Sequence, residues 1–79
     1  MSYPDHEPYE CWMWLETDEQ GDEGVIAAMI PGLEHMGPHV LQNRKREVAQ
    51  KMRSIATHHA LEHRVAVRFA HLREVPDAP

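Results

Sequence analysis

Residues 9–17, YECWMWLET, constrain the fold more than any other part of the chain. Their side chains alternate in two sets, Tyr9/Cys11/Met13/Leu15 and Glu10/Trp12/Trp14/Glu16, which is the two-residue period of a pleated strand. Each set is rich in large apolar groups, so a sheet built on this strand exposes hydrophobic surface on whichever face is left open. The other residues of the 79-residue chain must supply the cover.

Residues 18–23, DEQGDE, form a solvated loop that leads into the apolar run 24–30, GVIAAMI. A strand, a glycine-bearing polar loop and a second apolar run predict an antiparallel hairpin. Pro31, Gly32, Gly37 and Pro38 then punctuate the chain. Pro38 suits the first turn of a helix, where its missing N–H has no partner to lose. From Val40 to about Ala60, Leu41, Val48, Met52, Ile55, Ala56 and His59 recur at three- and four-residue steps, the pattern of an amphipathic helix. Residues 64–73, RVAVRFAHLR, place Val65, Val67 and Phe69 on one face and Ala66, Arg68 and Ala70 on the other, which predicts a third strand.

The predicted order is β-β-α-β. This is an α+β fold: a small, largely antiparallel three-stranded sheet with one amphipathic helix on one face. The chain reads as a single domain over 1–79, with an ordered core at 9–75 and frayed proline-bearing tails. A domain this short buries only about 60% of the surface its unfolded chain exposes, so self-association would add needed burial.

One helix cannot cover two apolar sheet faces. The expected docking face carries Trp12 and Trp14 with Ile26 and Ile30 from the second strand, because buried aromatic and aliphatic anchors dominate interface energies. Its expected occupant is a partner protein or a second copy of the chain, giving a homodimer. Asp18, Glu19, Asp22 and Glu23 in the hairpin loop are expected to steer association electrostatically.

Charge is segregated within a net −5. Residues 1–43 hold nine acids and no Lys or Arg, whereas 44–79 hold all eight basic side chains with four acids. Arg44, Lys45, Arg46, Lys51 and Arg53 on the helix could contact phosphate oxygens. The acidic total opposes nucleic-acid binding, which is therefore the alternative to protein docking.

Seven histidines are present, and His59, Glu62 and His63 match H-x-x-E-H, the spacing that places two imidazoles and a general base on one helix face. A third ligand and a substrate cleft are missing from the pattern, and Gly37-Pro38 separates the further pair His35 and His39. No metal site is expected, and His58, His59 and His63 suit a helix C-terminus as cations. Cys11 sits among bulky apolar neighbours, where a thiol is inert. Ser2 and Ser54 lack a nucleophile-elbow context, and Gly21, Gly24, Gly32 and Gly37 build no phosphate loop. No enzymatic activity, catalytic residue or cofactor is expected.

A lone cysteine implies neither an internal disulfide nor a secreted scaffold, so the cytoplasm is the expected compartment. Residues 1–8 carry Asp5 and Glu7 with no Lys or Arg, the reverse of a targeting peptide, and no apolar stretch spans a bilayer.

Gly24-Val25-Ile26-Ala27-Ala28-Met29-Ile30-Pro31-Gly32-Leu33 follows an aromatic strand and an acidic turn and precedes a helix. Over residues 9–55 this arrangement resembles the opening of HicB-type antitoxin domains. Pro38-His39-Val40 followed by Arg44-Lys45-Arg46 stands where that family has a small-residue, acidic helix start. The DNA-binding module usual in that family is not expected in this chain. The resemblance implies a dimerising α+β module that docks onto a partner protein. Size, two tryptophans beside several Met and His, and the lack of enzyme motifs also resemble small accessory proteins of bacteriophages and other mobile elements, which bind and redirect one macromolecule.

Overall fold

The computed structural model describes residues 9–75. The expected frayed tails, with Ser2, Asp5 and Glu7, lie outside the described residues. The architecture is α+β, an antiparallel sheet with helices packed on one face.

Strand β1 (Glu10–Thr17) is central. Strand β6 (Ala66–Arg73) runs antiparallel along its whole length, with Glu10 opposite Arg73 and Thr17 opposite Ala66. The other edge of β1 is shared by two shorter strands. Strand β2 (Glu23–Val25) pairs with Leu15–Thr17, and β5 (Gln42–Asn43) pairs with Trp12 and Met13.

A closed ring of backbone hydrogen bonds joins these three segments. The Trp14 N–H donates to the Leu41 carbonyl at 3.0 Å, Leu41 donates to Ile26 at 2.9 Å, and Ile26 donates to Trp14 at 2.9 Å. At this junction the chain leaves the main sheet. Strand β3 (Ala27–Ala28) pairs instead with β4 (His39–Val40) in a separate two-stranded ribbon. Ile26 and Leu41, both fully buried, are therefore the pivots between the two sheets.

The continuous strand expected at 24–30 is thus interrupted at Ile26. The helix expected from Val40 begins later, at Arg46, because 39–43 are extended and take their partners from β3 and β1. The Asn43 side-chain oxygen accepts the Lys45 N–H at 2.9 Å and turns the chain into α1 (Arg46–Gln50). Helix α2 (Arg53–His63) follows after a break at Lys51 and Met52. Arg64 ends it in the left-handed region at φ 56°, and the Val65 N–H reaches back to the Ala60 carbonyl.

The buried cluster of Trp14, Ile26, Leu41 and Ala56 forms the core, with Met52, Ile55, Val67 and Phe69 packed around it. Large rings on the sheet meet alanines on the helices, a pairing of volumes that lets the two layers approach closely. Both helices consequently lie on the Trp14 side of β1. Among the described residues, no helix is long and apolar enough to cross a membrane.

Candidate functional site

The two faces of β1 differ in what covers them. Trp14 is 4% exposed, its indole N–H donates to the Ala49 carbonyl at 2.8 Å, and Phe69 packs against its ring at 4.9 Å. Trp14 and Ile26 therefore belong to the protomer's own core, which corrects their assignment to an exposed docking face. The helices select the tryptophan face because the small side chains of Ala49 and Ala56, both fully buried, leave room for the rings. Trp12 shares that face but lies nearer the sheet end, half-buried and stacked on His71 with ring centroids 4.4 Å apart. Ile30 is half-buried beyond β3 and joins neither tryptophan.

The opposite face collects Met13, Leu15, Val25, Ala70 and Leu72, brought side by side by the pairing of β1 with β2 and β6. No described helix packs on it. Leu72 is 44% exposed, whereas Cys11, a free thiol, is buried within the same stripe. Arg68 and Glu23 close one end of this face, reaching across β1 in a two-pronged ion pair with both contacts at 2.6 Å. The hydrogen bond from Arg68 holds the Glu23 carboxyl below its ordinary range, and Glu23 in turn raises Arg68. Tyr9 and Arg44 mark the other end, with the guanidinium 4.8 Å from the ring centre.

Only part of the acidic loop is free to steer a partner. The Asp18 carboxylate accepts the Gln20 and Asp22 N–H groups, both at 2.9 Å, and builds the turn that Gly21 completes at φ 87°. Glu23 is held by Arg68. Glu19 and Asp22 extend into solvent.

The basic residues are spread around the start of the helical segment. Arg44 lies over Tyr9, Arg46 borders Trp12, and Arg53 lies 5.1 Å from the Trp14 ring centre. Lys45 precedes α1, and Lys51 occupies the break.

The histidine pattern does not assemble as a ligand set. His59 on α2 bonds to Glu16 on β1 and packs its ring on His63, while Glu62 pairs with His58 at 3.5 Å. Among the described residues, no group of three or more His, Cys, Asp or Glu is placed to hold a metal ion. These side chains instead form one wall of a cleft of about 510 Å³ between α2 and the 29–38 loop. His35 lies exposed in the short 3-10 turn Glu34–Met36, and His39 lies on β4.

Val25, Ala70 and Leu72 as members of the face turned away from the helices, and Phe69 and His71 as the neighbours of the tryptophans, are not singled out by the sequence, although Ala70 is itself buried. The alternation of 64–73 contains the signal for Phe69 and His71, once the register against β1 is known. No family model matches the chain, and neither a curated protein nor a solved structure matches it.

Proposed function

We propose that this chain is a small, non-enzymatic protein-binding module of regulatory type that pairs with a second copy of itself through the face of β1 turned away from the helices. The observation that carries the reading is the placement of both helices on the Trp14 side, which leaves Met13, Leu15, Val25 and Leu72 without a described element over them. Two further features favour a second copy as the occupant. At the rim Arg68 and Glu23 neutralise each other within the protomer, so a second copy placed on the same patch by a two-fold axis meets no unpaired charge there. The protomer is also short of core, since Ile26 and Leu41 are the largest fully buried side chains among the described residues, and pairing enlarges it. A free buried thiol at Cys11 suits a reducing compartment such as the cytoplasm.

Sedimentation equilibrium tests the pairing. The parent protein is expected to run as a dimer, and Leu72→Glu as a monomer with an unchanged circular dichroism spectrum. Leu61→Glu, on the solvent side of α2 at 77% exposure, serves as the control and stays dimeric. A parent protein that remains monomeric at its solubility limit overturns the proposal.

A further inference from the structure

The stacked pair Trp12 and His71 has no part in the proposed self-association. It lies on the helix-covered side of the sheet, beyond the reach of α2, and with Phe69 and Arg46 it lines an open cleft of about 410 Å³. Trp12 and His71 are nearly parallel, 6° apart, so their stack presents flat aromatic surface beside a guanidinium. That combination of a π-face and a neighbouring cation is the one that holds an unpaired nucleobase with its phosphate.

The surroundings strengthen the match. Lys45 and Arg46 follow closely on Asn43, which is directly opposite Trp12, and Arg73 is opposite Glu10 at the same end of the sheet, whereas Arg44 lies over Tyr9 on the other face. Arg44, Lys45, Arg46 and Arg73 form no ion pair with a described carboxylate. Among the described acids at this end of the sheet, Glu10 bonds His71 at 2.7 Å, and Glu74 accepts the Tyr9 N–H at 3.2 Å. Glu47 follows Arg46 directly on the first turn of α1.

The acidic hairpin loop is distant from this cleft. Asp18 lies six residues along the chain from Trp12, just past the end of β1, which at ~3.3 Å per residue puts the acidic loop about 20 Å away. At physiological ionic strength the screening length is only ~8 Å. The loop's carboxylates are therefore screened from a ligand in the cleft.

We infer that Trp12, His71, Phe69 and Arg46 form a binding site for single-stranded nucleic acid, in which a base stacks on the Trp12–His71 pair and Arg46 and Lys45 contact its flanking phosphates. A duplex is excluded from the stacking step because its bases are not free. The site lies away from the proposed dimer face, so it stands whether the protein is a monomer or a dimer.

The test is a titration of the full chain with fluorescein-labelled oligouridylate, read by anisotropy and by tryptophan quenching at ~50 and ~200 mM salt. Quenching is expected, with a log–log salt slope of about −1.4 for two phosphates on a single strand. Trp12→Leu is expected to weaken binding about tenfold or more, as loss of one stacked base does. Arg46→Gln should weaken it and flatten the salt slope, whereas Asp22→Asn should leave affinity unchanged. Circular dichroism of each variant confirms that it is folded. No binding at low salt, equal affinity for a blunt duplex, equal competition by polyglutamate, or a folded Trp12→Leu protein that binds like the parent would each overturn the site.

Discussion

The indole N–H of Trp14 donates to the carbonyl of Ala49 at 2.8 Å, and the same carbonyl accepts the Met52 N–H at 3.0 Å. The helical segment breaks immediately afterwards, between Gln50 and Arg53. A carbonyl that serves a side chain from the sheet and a tight i+3 partner favours a short 3-10 step over a continued α-turn. Trp14 thus fixes both the distance of the helices from the sheet and the point at which they change direction.

Trp14→Phe keeps most of the ring's volume and removes the donor. The buried Ala49 carbonyl then loses one partner while retaining Met52, so the substitution is expected to cost about 1–2 kcal/mol. Urea denaturation monitored by far-ultraviolet circular dichroism measures it. A cost indistinguishable from zero would mean that the indole bond does not hold the helix break.

Arg64 ends α2 in the left-handed region at φ 56°. That conformation strains any residue with a Cβ and is free to glycine. Arg64→Gly is expected to raise stability by about 0.5–1 kcal/mol, seen as an increase in Tm and in the urea midpoint. The gain arises from the backbone, so Arg64→Ala should not reproduce it.

The Glu23 carboxyl is held below its ordinary value of 4.5, first by its hydrogen bond to Arg68. A depressed folded-state pKa stabilises the fold above the unfolded value and loses that contribution as pH falls through the folded value. Carbon-detected NMR titration should therefore show Glu23 titrating below its ordinary value, and Arg68→Gln should return it toward that value. A Glu23 carboxyl that titrates at its ordinary value in the parent protein would show that the ion pair does not persist in solution.

How far the sequence carries can be seen at particular residues. The alternation of 9–17 and 64–73 identifies the two long strands, because period-two patterning is a local property. Strands β4 and β5 were not legible. His39 to Asn43 follow Gly37-Pro38, which reads as a helix start, and their extended form depends on bonds to Trp14 and Ile26 that are remote in sequence. The helix-covered face was equally hidden, since both sets of β1 side chains are apolar. The choice falls to volume: Ala49 and Ala56 admit Trp14 and Phe69. In the candidate sites, the role of Asp18 follows from local turn chemistry, whereas the Arg68–Glu23 and Trp12–His71 contacts require the strand order.

The pairing of β1 with β6 joins Glu10 to Arg73 and Thr17 to Ala66, near opposite ends of the described chain. During synthesis the most apolar strand emerges early and waits for its longest partner until almost everything between them has been made. Contacts of such sequence separation close slowly, because a large loop must be ordered before they form. The nascent chain therefore passes through a stage in which Trp12, Trp14, Met13 and Leu15 lack the strand that completes their sheet. The hairpin with Glu23–Val25 is the local contact available to hold β1 through that interval.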